Sequence, residues 1–470
     1  MTNDYKQLFQ KQRSHFLTKV QHHTIADRRR KLKSIKDWIK KNHKEIIESI
    51  SADFKKSPEE IKFGEIKPVL SEINDALIHV RKWSERKKVS TPLFLLGSRA
   101  EVLVEPKGVV LVVAPWNFPF MLTMGPVVSA IAAGNVVTIK PSELTPNTEQ
   151  LILRMITELF EEKDVAVVTG DAKTGAALIE QPWNHIFFTG SPNVGKMVMA
   201  AAAKNLTSVT LELGGRNPAI VDETANLKDA AEKLIWGKCF NAGQSCIAPN
   251  YLLVHSSKYE EILIRLESAY NKMYCSGKQE MEMNKAFPRI VNKRNFDRVK
   301  GLVDAAVAEG AQVILGGDFN GSDNYVSPTI LTNVTTDSTL FQDEIFGPVL
   351  PVIKYDSWDD VFDMVNSTEI PLALYLFSRS SKNIKRVLKS TTAGTSCINE
   401  TTVQFIHPEL PFGGHNFSGI GKAHGKYGFD EFSNERAILK QRVGWTSAKM
   451  IYPPYTRLKR KIIDFLTWRM

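Results

Sequence analysis

Cys246 lies in a turn rich in glycine and asparagine, FNAGQSCIAPN (240–250), between a helical pattern and a strand pattern. Most cysteines are buried as small apolar side chains. This turn is not a core sequence, and Gly243 lets its backbone approach another group closely. Cys246 is therefore either a nucleophile or a packed thiol, whereas Cys239, inside the helical pattern, is better explained by packing.

Two other polar residues end apolar strand patterns. Glu212 is the next-to-last residue of SVTLEL, and two glycines follow that run. A carboxylate in an apolar strand is unfavourable unless it is paired or functional, so Glu212 is either paired with a lysine or a general base whose pKa is raised by burial. Asn117 lies between prolines in APWNFPF. Its amide either donates to a developing oxyanion or bonds its own turn.

The stretch FFTGSPNVGK (187–196) follows a strand pattern and begins a helical one. Gly190 allows the turn, Ser191 can cap the helix, and Pro192 suits the first helical position. The N-terminus of such a helix can bind phosphate. The spacing is G-x-x-x-x-G and not G-x-G-x-x-G, so an ordinary turn between strand and helix explains it equally well.

Alternating strands and helices surround these residues. The apolar runs GVVLVVA, NVVTIK, DVAVVTG, HIFFTG and SVTLEL are separated by helical patterns, and a second α/β region follows. This alternation predicts a parallel sheet covered by helices, with ligands at the carboxyl ends of the strands. The uncharged stretch 108–139 is broken by Pro115 and Pro119, which favours a buried strand–helix–strand unit over a membrane span.

Length, charge and cysteine content narrow the classes of protein. A chain of 470 residues predicts two or three domains. Four scattered cysteines without a C-x-x-C pair argue against a disulfide scaffold, a zinc site or a redox dithiol, and favour a reduced, cytoplasmic location. The net charge of +10 is carried by residues 1–44, as on solvated helices or a segment attracted to anionic lipid. We expect no nucleic-acid partner, because no recognised fold or aromatic interleaving accompanies these charges.

Taken together, the motifs resemble those of the aldehyde dehydrogenase superfamily. They are APWNFP, IKPSE, FTGS-x-x-VG, LELGG, FNAGQSC, EIFGPVLPV and LPFGG-x-x-x-SGIG, in the family's order over about residues 10–445. The short N-terminal lead and YPP (452–454) are similar to the class 3 branch, which forms dimers and includes fatty and aromatic aldehyde dehydrogenases. Departures occur at Pro192-Asn193 and at 415–417, His-Asn-Phe, where small or apolar residues are more usual.

The resemblance implies a role for each matching position. Cys246 would be the nucleophile, Glu212 the general base, and Asn117 with the backbone N–H of Cys246 the oxyanion hole. The cofactor would be NAD, with NADP as an alternative, and no metal is implied. It would be bound by Lys140, Glu143, Gly190, Ser191, Gly195, Glu344 and Phe346. The substrate funnel would include Phe118, Met121, Met124 and Phe405, each of which could equally be core packing.

The resemblance also predicts the organisation of the chain. A Rossmann-type doubly wound cofactor domain (1–85 and 105–213) would precede an α/β catalytic domain (214–420), with bridging segments at 86–104 and 421–450. We expect a homodimer that oxidises an apolar aliphatic, aromatic or isoprenoid aldehyde to the acid through a thioester. A relative that transfers the acyl group to coenzyme A, which the presence of Glu212 disfavours, and a non-catalytic member of the fold are the alternatives.

The basic tail 451–470 carries an apolar stripe on a helix predicted from about Thr456. Its members are Leu458, Ile462, Phe465 and Leu466. The tail is too short and too charged to span a bilayer. It would either lie at an anionic membrane, placing the protein at the inner membrane surface, or pack on the dimer.

Overall fold

Two parallel-rich sheets and one small antiparallel sheet organise the chain. The structure is a computed structural model that describes residues 2–275 and 284–468. Within the described residues the strands form sheets of six, seven, three and two strands. This arrangement confirms the predicted α/β class. The domain boundaries assigned from the sequence remain predictions.

The six-stranded sheet contains the apolar runs recognised first in the sequence. Its strands are β3 (Val109–Val113), β4 (Val136–Lys140), β5 (Val165–Val167), β6 (His185–Thr189), β7 (Ser208–Glu212) and β17 (Gly419–Ile420). Their order is β17-β7-β6-β3-β4-β5, and only β17 is antiparallel. The chain moves outward in opposite directions on the two sides of β3, so the crevice beside β3 and β6 is the topological switch point of a doubly wound sheet.

Helices cover both faces of this sheet. They are α6 (Met121–Ala133), α7 (Pro146–Leu159), α8 (Ala172–Ile179) and α9 (Pro192–Ala203). The basic N-terminal segment adds α1 (Thr2–Thr18), α2 (Ile25–Lys41), α3 (His43–Phe54), α4 (Pro58–Ile61), a π-helical turn (Lys62–Ile66) and α5 (Lys67–Trp83). In α2, Leu32, Ile35 and Ile39 are fully buried. The charged residues of this segment therefore lie mainly on outer helix faces, as the sequence predicts.

The seven-stranded sheet follows β7 in the chain. Its strands are β8 (Pro218–Val221), β9 (Tyr251–His255), β10 (Gln312–Leu315), β13 (Thr329–Thr332), β14 (Val349–Tyr355), β15 (Ala373–Phe377) and β16 (Thr395–Ile398). The order is β10-β13-β14-β9-β8-β15-β16, and only the edge strand β10 is antiparallel. The associated helices are α10 (Leu227–Cys239), α11 (Tyr259–Tyr274), α12 (Lys293–Ala308), α13 (Trp358–Asn366) and α14 (Ser381–Ser390). A hairpin of β11 (Phe319–Asn320) and β12 (Tyr325–Val326) follows β10 in the chain.

A three-stranded antiparallel sheet joins early and late parts of the chain. It consists of β1 (Lys87–Val89), β2 (Arg99–Pro106) and β18 (Ser433–Lys440), in that order, and α15 (Gly425–Glu431) precedes β18. The tail forms α16 (Arg457–Trp468), which has no buried residue. No helix within the described ranges is long and apolar enough to cross a membrane.

Candidate active site

The residues singled out in the sequence meet at the carboxyl edge of the six-stranded sheet. Val113, the last residue of β3, pairs with Lys140 of β4 and Phe188 of β6, and Thr189 pairs with Glu212. Because parallel strands end at one edge, the segments that follow β3, β4, β6 and β7 open into the same crevice.

The loop that carries Cys246 approaches this edge from the other sheet. It begins where α10 ends, and Asn241 and Ala242 take left-handed backbone conformations with φ of 53° and 51°. Gly243 has φ of 70°, and a Cβ built on it would lie 2.3 Å from the carbonyl oxygen of Gly347. No larger residue fits that approach, so the tight bend that presents Cys246 depends on glycine.

Hydrogen bonds connect the Asn117 turn to the Cys246 loop. The Asn117 amide donates to the carbonyl oxygen of Gln244 at 3.1 Å, and the Asn241 amide donates to the Asn117 carbonyl oxygen at 2.7 Å. An amide carries two N–H donors. With one of them on Gln244, the second is available for an oxygen atom on the carbon attacked by Cys246.

Glu212 is a buried carboxylate with an unusual environment. Within the part of the chain that the structure describes, neither of its oxygens has a hydrogen-bond partner. Burial raises its pKa well above the usual value, and the nearby Lys422 acts in the opposite direction. Lys422 donates to the carbonyl oxygens of Gly413 and Gly414 and makes no hydrogen bond to Glu212. Glu212 is therefore not satisfied by a lysine, which was the structural alternative for this residue.

Burial also raises the pKa of the Cys246 thiol, and the negative charges of Glu344 and Glu212 raise it further. The backbone N–H groups of Cys246 and Ile247 oppose these effects. Burial and the two carboxylates thus favour the protonated thiol. Of these carboxylates, Glu212 has no hydrogen-bond partner on either oxygen among the described residues, whereas Glu344 accepts from the backbone N–H of Gly215.

Cys246 and Glu212 both line one apolar cavity. It contains about 820 Å³ of space outside protein atoms, counting the part that opens to solvent, and Phe118, Met121 and Phe405 also line it. Its other apolar lining residues include Leu122, Phe187, Phe240, Ile247 and Phe412. A cavity with this apolar lining suits a predominantly hydrocarbon ligand.

Met124 is fully buried and does not line this cavity. Helical periodicity explains its position, because Met121, Gly125 and Ser129 form the cavity-facing side of α6 and Met124 points away from that side. Met124 was predicted to line the substrate funnel, but in the structure it packs in the core.

Lys140 and Glu344 supply polar groups at the cofactor side of the crevice. Lys140 is 4% exposed, and its ammonium group contacts Glu143 at 3.0 Å and the carbonyl oxygen of Pro141 at 2.7 Å. Burial raises the pKa of Glu344 to about 8, and its buried Oε1 has no partner among the described residues. The ring of Phe346 packs edge-on against Trp116, with centroids 5.3 Å apart. An unpartnered buried oxygen and a positioned ammonium group fit the hydroxyl groups of a dinucleotide.

The turn after β6 has the backbone predicted for it but not the predicted cap. Ser191 is the N-cap residue of α9 and Pro192 its first residue, yet the Ser191 side chain makes no capping hydrogen bond. A Cβ built on Gly195 would lie 2.9 Å from Leu213. Close packing of α9 on the chain after β7 therefore accounts for Gly195.

Residues 415–417 depart from the family's usual motif, and there the ammonium group of Lys196 lies 5.0 Å from the centroid of the Phe417 ring.

Two polar residues of the cavity wall were missed by sequence reasoning. Glu72 on α5 bonds the His424 ring at 2.5 Å and the backbone N–H of Gly425 at 3.0 Å, and both side chains line the cavity. Glu72 lies in an ordinary amphipathic helix pattern, and His424 lies between Ala423 and Gly425. Neither position carries a local signal of its role, because the contact joins segments more than 350 residues apart.

Comparison with known proteins agrees with this geometry. The model of the aldehyde dehydrogenase family matches residues 2–438. A putative aldehyde dehydrogenase, AldX, of Bacillus subtilis is 44% identical over 89% of this chain and 94% of its own. The 4,4'-diaponeurosporen-aldehyde dehydrogenase of Staphylococcus aureus is 39% identical over 94% of each chain. Aldehyde dehydrogenase family 3 member B1 of Bos taurus is 39% identical over 92% of this chain and 91% of its own.

A solved structure is equally similar. The substrate-bound state of Staphylococcus aureus AldH superimposes with a TM-score of 0.93 at 38% identity, covering 98% of this chain and 99% of that one. The chain belongs to the aldehyde dehydrogenase family. It is an NAD(P)-dependent oxidoreductase that acts on aldehydes, which confirms the activity and the cofactor class predicted from the motifs.

Proposed function

We propose that this aldehyde dehydrogenase oxidises apolar aldehydes, of the medium- or long-chain aliphatic, aromatic or isoprenoid classes. The supporting observation is the cavity that connects Cys246 and Glu212 to an almost wholly apolar wall of aromatic and aliphatic side chains. Transferring a charged substrate into such a wall without a partner is unfavourable. One relative, from Staphylococcus aureus, is named for the aldehyde 4,4'-diaponeurosporen-aldehyde.

In the first half of the proposed reaction, the sulfur of Cys246 attacks the aldehyde carbon. The carbonyl oxygen gains negative charge, and the free N–H of Asn117 and the backbone N–H of Cys246 donate to it. The thiol proton is released to water before the attack. When bound, NAD(P) would supply the acceptor for the hydride on that carbon. The product held on Cys246 is a thioester.

In the second half, Glu212 deprotonates a water molecule that attacks the thioester carbon. Burial raises its pKa, and a carboxylate with a raised pKa is a stronger base towards water. The carbon–sulfur bond breaks, the carboxylic acid leaves, and Cys246 is restored.

Four groups are proposed to hold the dinucleotide. Lys140 and Glu143 would bond the adenosine ribose, and the unpartnered Oε1 of Glu344 would accept from the nicotinamide ribose. Phe346 would pack near the nicotinamide, and the backbone at Gly190 and Ser191 would line the pyrophosphate. We propose a preference for NAD over NADP, because the Glu143 carboxylate repels a 2′-phosphate.

Homodimer formation and a peripheral position at an anionic membrane are further proposals. The edge strand β18 lies at the rim of the three-stranded sheet, with most of its side chains exposed. In α16, Leu458 and Phe465 are exposed on the apolar stripe, and Arg457, Lys459, Arg460 and Lys461 cluster near the start of the helix. Such a helix can lie in an interface with its cations toward anionic lipid. A cytoplasmic location remains a prediction from cysteine usage.

A series of linear aldehydes from ethanal to dodecanal tests the substrate class. Each buried methylene contributes up to about 0.8 kcal/mol, so kcat/KM should rise by up to roughly fourfold per carbon until the cavity is filled. A matched variant is Gly125→Leu, because Gly125 lines the cavity and a Cβ built on it meets no atom within 4 Å. It should lower kcat/KM for long aldehydes more than for short ones.

Gly175→Leu is the control, because Gly175 lies on α8, outside the cavity, and also has open space at its Cβ. It should leave the dependence on chain length unchanged. A higher kcat/KM for a charged semialdehyde than for its apolar equivalent would contradict the proposed substrate class.

A further inference from the structure

A fully buried ion pair lies behind the Asn117 turn. Lys56 and Glu65 are both 0% exposed, and the ammonium group lies 3.1 Å from Oε1 of Glu65. The same ammonium group lies over the rings of Phe54 and Phe118, 4.7 Å from each centroid. Removing two charges from water is costly, and packed apolar residues in place of a buried ion pair often give a protein of equal stability. An ion pair at such a depth therefore calls for a role besides stability.

The second oxygen of Glu65 holds the segment that follows Asn117. Oε2 accepts from the backbone N–H groups of Phe120 at 3.2 Å and Met121 at 3.0 Å. These groups begin α6 and are left without partners inside the helix. A carboxylate from outside the helix thus caps α6, and the cap fixes the turn in which Asn117 lies.

A second carboxylate of the same segment holds the Cys246 loop. Oε1 of Glu60 accepts from the backbone N–H of Asn241 at 2.9 Å, where the chain takes a left-handed conformation. Burial raises the pKa of Glu60 to about 7. The side chain of Asn241 donates to the carbonyl oxygens of Asn117 and Gln244. Glu60 therefore acts at the junction between the two loops.

The backbone between these carboxylates touches both loops directly. Residues 62–66 form a π-helical turn, a distortion that often occurs at functional sites. A Cβ built on Gly64 would lie 2.8 Å from the Phe240 ring and 3.5 Å from the Phe118 ring. Phe118 and Phe240 stack with centroids 5.6 Å apart. One short segment thus packs against the residue after Asn117 and the residue that begins the Cys246 loop.

We propose that Glu60, Glu65 and Lys56 form a brace that positions the Asn117 amide relative to the Cys246 thiol. This inference rests on the proposed roles of Asn117 and Cys246. None of the three is a catalytic residue. They act through the two loops, and the brace keeps the free N–H of Asn117 aimed at the oxygen that becomes negative during attack by sulfur.

Single-turnover kinetics of Glu65→Ala and Glu60→Ala test the brace. The burst of reduced NAD should slow by at least about tenfold, up to the roughly 10²–10³-fold that follows from losing one oxyanion donor outright. The burst amplitude and the Kd for NAD should stay near wild type. A merely structural role would lower the amplitude, because fewer molecules fold, and leave the rate constant unchanged.

Two comparisons make the result specific. Glu60→Gln keeps an oxygen that can accept from Asn241, so it should restore most of the burst rate that Glu60→Ala loses, even if Glu65→Ala does not fold. Asp164→Asn removes the carboxylate of a different, partly buried pair, Lys31–Asp164 at 2.6 Å, and should leave the burst rate constant unchanged.

A double-mutant cycle separates the brace from the catalytic assignment. In an Asn117→Ala background, Glu60→Ala should slow the burst by less than about threefold further, because the group that it positions is gone. Fully additive losses, or wild-type burst rates in both brace variants, would refute the brace and leave the proposed role of Asn117 intact. A wild-type burst in Asn117→Ala itself would overturn the proposed role of Asn117.

Discussion

Replacing Asn117 with alanine removes one side chain with two separable functions. One amide N–H bonds the carbonyl oxygen of Gln244, a contribution of about 1 kcal/mol to stability. The other is free for the oxyanion, where one donor is worth about 3 kcal/mol in the transition state. We therefore expect the burst rate constant to fall roughly 150-fold, while the free energy of unfolding falls by only about 1 kcal/mol. The loop should persist, because the backbone carbonyl of residue 117 still accepts from Asn241.

Stopped-flow measurement of the burst, together with urea unfolding, checks both numbers. Asn135→Ala is the matched control, because Asn135 is also a buried amide and bonds the backbone of Gly108, Ala130 and Phe432. It should lower stability at least as much and leave the burst rate constant unchanged. If Asn117→Ala slows the burst by less than about tenfold, the free N–H does not face the oxyanion and the geometric argument is wrong.

Four other predictions follow from the same geometry. Cys246→Ala should abolish oxidation with the Kd for NAD nearly intact, whereas Cys239→Ser should stay active; more than a few per cent of activity in Cys246→Ala would refute the nucleophile. Glu212→Gln should give a burst and then very slow turnover. It should also remove the rise of the steady-state rate with pH, because the base works only when ionised and burial raises its pKa. Loss of the burst would place Glu212 in an earlier step. Glu143→Gln should raise kcat/KM with NADP relative to NAD, and an unchanged ratio would show that the carboxylate points elsewhere. A chain ending at Tyr452 should sediment less than the full chain with anionic vesicles at low salt, and equal binding, or none by either, would reject the tail as a membrane contact.

Local motifs were sufficient where a residue's role depends on its neighbours in sequence. The turn around Cys246 and the carboxylate that ends β7 stood out from their local sequence, whereas Lys140 at the end of β4 was assigned through the family resemblance. The structure brings the ends of β4 and β7 to one edge of the sheet. The α/β class followed from the same alternation of strands and helices. The catalytic and cofactor-binding roles of these residues remain predictions for the experiments above.

Contacts between distant segments could not be predicted in this way. Lys56 and Glu65 belong to polar stretches that look solvated, and the π-helical turn shifts the helical register, so a 3.6-residue period does not indicate that Glu65 points inward. Met124 illustrates the reverse error, because proximity to a motif did not reveal which side of α6 faces the cavity. Ser191 occupies the N-cap position that its residue type predicts, yet its hydroxyl makes no capping hydrogen bond.

The strand β17 has a consequence for the order in which the protein is made. Gly419 and Ile420 pair with Glu212 and Leu211, so the outer edge of β7 is covered only by residues translated long after it. A nascent chain that stops before Gly419 holds β7 as an open edge with its buried carboxylate uncovered. Domains generally fold in order from the N-terminus during synthesis. In this chain the six-stranded sheet is complete only after the strands of the seven-stranded sheet have been translated. The pocket around the proposed base therefore closes when translation is nearly finished.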